Sequence, residues 1–363
     1  MTSLRIGTMA TSHYTAPPPD DVIYAPIKIA AAVSEGLQKR GHDVTFFGPK
    51  GTQLDVSHVI HGGLRPLLQD DYLKTIDPEY IGAAEHEKIK HLWDQYLISL
   101  MYREAIRNQF DVLYVHPVDR ILPFAHALRD IPVVYTLHDP IYPWRATMFR
   151  MFASENQHYI SISEAQRRPA PDLGYAATIY NGIDLARFAF RDEKDGYLLF
   201  VGRLLPQKGV AQAIAAARSS GEQLRILGAP ASGTYWEKQI QPHLGERITY
   251  GGVVAREELT AHYQHAKALL FPIQWEEPFG LVMIEAMACG TPVIAFNRGS
   301  VPEVIKDGET GFIVNTVQEM ARAIKKIDMI DRRVCREHVE KNFSLGRMID
   351  EYERVLLRIV KKI

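Results

Sequence analysis

Short apolar runs alternate with longer amphipathic segments along the whole chain. Residues 4–9, 44–47, 111–116 and 133–137 have the length and composition of buried strands, as do residues 197–201, 224–227, 248–250, 268–271 and 293–296. Between them, residues 27–40, 85–108, 210–218 and 257–265 repeat their apolar positions at helical spacing. Strand–helix alternation of this kind predicts an α/β protein, with parallel sheets covered by helices on both faces. A polar, charged break at residues 191–196 precedes a fresh strand and is where a domain boundary is expected. The predicted organisation is a domain over 1–190, a second over 191–343, and an amphipathic helix over 344–363. In that helix Met348, Ile349, Tyr352, Val355, Leu356 and Ile359 share one face. Two doubly wound, Rossmann-like domains facing each other across a cleft is the expected architecture.

Composition narrows the function classes. A chain of 363 residues suits two domains. Its net charge of −1 is spread without a basic pole, which argues against a nucleic-acid partner and against strong docking on an anionic bilayer. Cys289 and Cys335 lack metal-ligand spacing and read as buried free thiols in a reducing compartment. Residues 4–9 read as a first strand rather than a signal peptide, and no run has the apolar length of a membrane-spanning helix. A cytoplasmic location is expected.

The most informative stretch is residues 274–290, which follow the strand at 268–271. Pro278 is placed to start a helix and Gly290 to end it. The amides around Phe279, Gly280 and Leu281 would then be unpaired donors at the carboxyl end of a parallel strand, where open α/β sheets bind phosphate. Glu277 in the loop and Glu285 about two turns into the helix flank those amides. Carboxylates beside an anion site make sense when the ligand also carries hydroxyls, as a nucleotide sugar does. The plainer reading is a solvated loop charge and an acid favoured by the helix dipole. A second strand ends in Gly202-Arg203-Leu204-Leu205-Pro206-Gln207-Lys208-Gly209, whose two cations could clamp a diphosphate. Loop cations at this spacing are more often simply solvated. His138 ends the strand at 133–137, and on the residues alone it reads as a terminator before Pro140. Residues 52–85 read as a long irregular loop, within which His58 and His61 lack a third metal ligand.

The run from Glu277 to Glu285, continuing Ala286-Met287-Ala288-Cys289-Gly290-Thr291-Pro292, resembles the Glu-x7-Glu signature of retaining GT-B glycosyltransferases of glycosyltransferase family 4. The Gly-Arg-x-x-x-x-Lys-Gly run at 202–209, Gly41-His42-Asp43-Val44, and His138 at its strand end are similar to family positions too. The resemblance implies a GT-B fold with a C-terminal helix crossing back to the first domain. It assigns catalytic roles to His138, which would contact the donor sugar, to Arg203 and Lys208 on the phosphates, and to Glu277. Phe279, Gly280, Leu281, Glu285, Val253 and Val254 would bind the donor, the two valines near its base. His13 and Tyr24 fall on the acceptor side, together with the loop at 52–85. Where the family has a Gly-Gly pair at its first helix, this chain has Tyr24-Ala25-Pro26.

The activity implied is retaining transfer of a hexosyl unit from a nucleotide sugar, UDP-glucose first, to a small-molecule or oligosaccharide acceptor. No cofactor is expected. The absence of Asp-x-Asp from the sequence points to a metal-independent reaction. The alternatives are a non-catalytic nucleotide-sugar-binding subunit, suggested by Tyr24-Ala25-Pro26, and a nucleotide-sugar epimerase or phosphorylase on the same fold.

Overall fold

A computed structural model describes residues 3–19, 22, 24–69, 83–107, 109–230 and 234–361. The chain divides into two compact units, one of residues 1–162, 167–179 and 348–363, the other of residues 163–166 and 180–347. In the first unit the strands are β1 (Arg5–Met9), β2 (Asp43–Phe47), β3 (His58–Ile60), β4 (Val112–Val115), β5 (Val133–Thr136), β6 (Gln157–Ser161) and β7 (Tyr175–Thr178). They form a parallel sheet in the order β3-β2-β1-β4-β5-β6-β7. β4 and β5 are buried throughout, as expected of strands covered on both faces. The helix Ala25–Lys39 begins beside Pro26, whose missing N–H costs nothing in a first turn.

In the second unit β8 (Tyr197–Val201), β9 (Gln223–Leu227), β10 (Ile248–Tyr250), β11 (Ala266–Phe271), β12 (Val293–Phe296) and β13 (Gly311–Val314) form a parallel sheet in the order β10-β9-β8-β11-β12-β13. The order reverses between β8 and β11, and connections leaving those two neighbours part to opposite sides. A crevice opens at their carboxyl ends, the usual ligand position in open α/β sheets.

The sequence reading missed β3, β6, β7 and β13. β3 has three residues and starts on exposed His58. β6 opens with Gln157, a polar residue buried because its carbonyl accepts from the Tyr135 hydroxyl at 2.9 Å. β7 and β13 are edge strands with half-buried positions, so their apolar signal is weak. The loop expected over 52–85 contains β3 and a short 3-10 turn, Leu67–Gln69, while residues 70–82 lie outside the described residues. His58 and His61 are both exposed.

The units change over at Tyr180 rather than at residue 191. Residues 180–190 already pack on the second unit. The Tyr180 hydroxyl donates to Glu303 at 3.1 Å, and Ile183 exchanges backbone bonds with Phe343 and Leu345 at 2.9 Å each. At the other end the helix Leu345–Val360 enters the first unit from Met348 onward. Its Tyr352 hydroxyl meets Thr136 Oγ1 at 3.0 Å, and Thr136 is shared with the Tyr114 hydroxyl at 3.1 Å, all three fully buried. Glu353 lies 3.1 Å from His42 Nε2 and 3.2 Å from Arg40. Gly36 makes room for this helix, because a Cβ there would stand 2.4 Å from Ile349 Cδ1. A Gly36→Val variant is therefore overpacked and should lose about 1–3 kcal/mol of stability, read as a lower denaturation midpoint at unchanged m.

Candidate active site

The loops after β8 and β11 meet at the strand-order reversal of the second unit. Gly209 adopts φ +79°, and a Cβ there would lie 1.9 Å from the Pro272 carbonyl oxygen, so only glycine lets the two loops touch. The Gln274 amide donates to the Gln207 carbonyl at 2.8 Å and locks the contact. This approach brings Lys208 Nζ to 2.6 Å from Glu277 Oε2, the two side chains being only 18% and 12% exposed. The Trp275 indole N–H donates to the same oxygen at 2.9 Å. Arg203, in the same loop as Lys208, is exposed, and its guanidinium has no partner among the described residues.

The helix after this loop runs Leu281–Ala288 and begins three residues later than Pro278 suggested. Gly280 takes a left-handed conformation, φ +83°, that turns the chain into the helix. Glu285 is thus about one turn in, not two. Its Oε2 accepts from the hydroxyl of buried Tyr263 at 2.9 Å. The amides of Phe279, Gly280 and Leu281 have no acceptor among the described residues. The Phe279 ring is 2% exposed and packs between Tyr180 and Phe343, with centroids at 6.1 and 5.9 Å, so only its backbone can face a ligand. Val253 is exposed and Val254 half-buried, beyond the end of β10. Cys289 and Cys335 are buried free thiols, each pushed up to about 12 by burial.

In the first unit, three histidines follow the carboxyl ends of neighbouring strands: His13 after β1, His116 after β4, His138 after β5. His138 Nε2 and His116 Nδ1 are 2.7 Å apart. Burial, with Arg145's charge adding, lowers His138 to about 3, and burial takes His116 well below the usual imidazole range. Both rings are neutral at pH 7, so one donates and the other accepts; the remaining nitrogen of His116, Nε2, is buried without a partner among the described residues.

His13 belongs to a closed network. Asp94, fully buried, accepts from the Ser12 amide at 2.7 Å, from the Ser12 hydroxyl at 2.6 Å and from Arg120. His13 Nε2 is 3.2 Å from Arg120 Nη1 and 3.5 Å from Asp94 Oδ2, and burial plus the Arg120 charge lower it to about 4. Tyr24 is the residue before the first helix. The residue is 38% exposed and its ring lies 6.5 Å from that of Tyr14, while partial burial and the charge of Asp139 push its hydroxyl up to about 12.

His116, Asp94, Arg120, Tyr263 and Trp275 escaped the sequence reading. Asp94 had a signal: it occupies the apolar face of its helix with Leu97, Ile98 and Met101, where an acid needs a buried partner. His116 ends β4 as His138 ends β5. Among the described residues no group of three or more His, Cys, Asp or Glu side chains could hold a metal ion, and no helix is long and apolar enough to cross a membrane.

Neutral buried imidazoles carry a pH signature. Their folded pKa values are depressed below the unfolded value near 6.5, so stability is full above that pH and falls as acid protonates the unfolded chain first. Chemical denaturation at pH 7 and pH 5 should show His138→Phe losing about 1–2 kcal/mol less than the parent over that interval. An equal loss in both proteins would mean that His138 is not held neutral.

Comparison with known proteins gives the same picture. Residues 28–187 match the family model described as Glycosyltransferase Family 4, and residues 184–341 match Glycosyl transferases group 1. An uncharacterized 41.2 kDa protein in the cps region of Klebsiella pneumoniae is 29% identical over 68% of this chain and 79% of its own length. A glycogen synthase of Mycobacterium tuberculosis is 39% identical over 58% of this chain and 56% of its own length. The solved sucrose-phosphate synthase of Thermosynechococcus elongatus superposes over 99% of this chain and all of its own, with a TM-score of 0.75 at 19% identity. The chain belongs to the group 1, family 4 glycosyltransferases and has their GT-B fold.

Proposed function

We propose that the protein is a retaining, metal-independent hexosyltransferase that moves a glucosyl unit from a nucleotide sugar to an acceptor hydroxyl. The observation that carries the reading is the pairing of Lys208 with Glu277 beside open amides at the β8–β11 reversal. Arg203 and Lys208 bind the diphosphate of the donor, the amides of Phe279, Gly280 and Leu281 take its remaining oxygens, and Glu277 and Glu285 accept from sugar and ribose hydroxyls. His138 contacts the donor sugar through the nitrogen that His116 leaves free, and Val253 and Val254 border the base. In the transfer, the acceptor oxygen bonds to the anomeric carbon on the face that the diphosphate leaves. The carbon–oxygen bond to the diphosphate breaks, and the departing phosphate takes the acceptor's proton. No side-chain nucleophile enters, so catalysis consists of positioning and charge stabilisation. Glucose is favoured because glycogen and sucrose, which the names of two relatives carry, both contain it. UDP is the first nucleotide to test.

The first unit would bind the acceptor. Its charges at the carboxyl edge are paired internally, Asp94 with Arg120 and Arg145 with Asp119 at 2.8 Å, which suits a neutral polyol better than an anion. A second reading, a subunit that binds nucleotide sugars without transferring them, draws on Tyr24, whose bulk stands where the family has bare backbone.

A panel of UDP-, ADP- and GDP-sugars tested by thermal shift decides the first point. One donor near a hundred times its Kd should stabilise the protein by about 2.7 kcal/mol, and Glu285→Ala should lose the shift. A protein that no nucleotide sugar shifts is not a transferase of this kind. Turnover decides between the two readings. Nucleoside diphosphate release should persist in EDTA and fall about 10²- to 10³-fold in Arg203→Ala or Lys208→Ala. Binding with no release in the presence of any sugar acceptor would favour the second reading, and loss in EDTA would bring a metal into the mechanism.

A further inference from the structure

We propose that Trp275 is a positioning residue of the transfer centre. Its indole N–H holds Glu277 while Lys208 passes from that carboxylate to the donor's diphosphate. This rests on the assignment of Lys208 and Glu277 above.

The geometry behind it is a shared acceptor. Glu277 Oε2 receives two donors, Lys208 Nζ at 2.6 Å and the Trp275 indole N–H at 2.9 Å. Oε1 has no partner among the described residues and is left to accept a substrate hydroxyl. Lys208 Nζ also lies over the Trp275 ring, 5.1 Å from its centroid, so one side chain touches both members of the pair. The loop is itself pinned: the Glu277 amide donates to the Trp275 carbonyl at 3.0 Å, and the Gly299 amide donates to Glu276 at 2.7 Å.

Lys208 cannot serve both partners equally. Without donor it neutralises a carboxylate that is nearly enclosed. A diphosphate brings more negative charge within its reach and competes for the same ammonium. Once Lys208 turns to the phosphate, the indole N–H is the contact that remains on Oε2 among the described residues. Trp275 cannot follow the lysine, because its carbonyl is bound to the Glu277 amide two residues on. It keeps the carboxylate in place through the exchange, at the stage where misplacement costs rate most.

The test uses the full chain with the nucleotide sugar that gives the largest melting shift, water serving as acceptor. Trp275→Phe keeps the ring over Lys208 and deletes the N–H. Its kcat should fall about ten- to a hundredfold, while the donor KM stays within about threefold and the melting temperature is nearly unchanged. A role confined to packing would lower the melting temperature and leave kcat alone. Tryptophan emission supplies a second readout. Withdrawal of the Lys208 ammonium from the ring makes UDP, ADP or GDP change the emission of the parent, and the change should vanish in Trp275→Phe. Glu277→Gln separates the failures. If Glu277→Gln turns over at the parent rate, the assignment of the site is wrong. If Glu277→Gln is impaired but Trp275→Phe has the parent kcat, or if no nucleotide alters the emission, the positioning role is overturned on its own.

Discussion

The contact of Gly209 with the Pro272 carbonyl is the constraint on which the second unit's chemistry depends. Two parallel neighbours whose connections part to opposite sides leave a crevice at their carboxyl ends. A crevice alone positions nothing. Here the two loops that edge it touch backbone to backbone, and that contact brings a cation from one loop within 2.6 Å of a carboxylate from the other. A side chain at position 209 would force the loops apart and carry Lys208 away from Glu277. The pairing also resolves an electrostatic difficulty. A nearly enclosed carboxylate without a partner would be expensive to keep charged, and Lys208 with the Trp275 indole removes that cost before any ligand arrives.

Much of this was legible in the residues. β8 and β12 fall where the apolar runs put them, because strands buried on both faces have no polar position to blur the pattern. The edge strands β7 and β13 were lost because half-buried positions weaken the same signal. The helix expected from Pro278 begins at Leu281, since Pro278 can open a helix but Gly280 turns the chain first. The site divides in the same way. Glu277, Lys208 and Arg203 carry a spacing that sequence reveals. Tyr263 reaches Glu285 from another element and Trp275 reaches Glu277 within its own loop, and no local period marks either. Asp94 is the instructive case between these, because an acid on an apolar helical face announces a buried partner without naming it.

The two units handle charge in opposite ways. At the carboxyl edge of the first, Asp94 takes Arg120 and the Ser12 donors, Arg145 takes Asp119, and the histidines are held neutral. In the second, Arg203 is open to solvent, and among the described residues three amides lack acceptors and one Glu277 oxygen has no partner. Open charge binds a polyanion, and closed networks offer shape and neutral hydrogen bonds. A glycosyltransferase needs both, an anionic donor held by its leaving group and a hydroxyl-bearing acceptor held by its outline. On the proposed reading the second unit is the donor half, built from a spacing that resembles the family's. Tyr24-Ala25-Pro26 and the Asp94 network then fall in the other half, where outline decides.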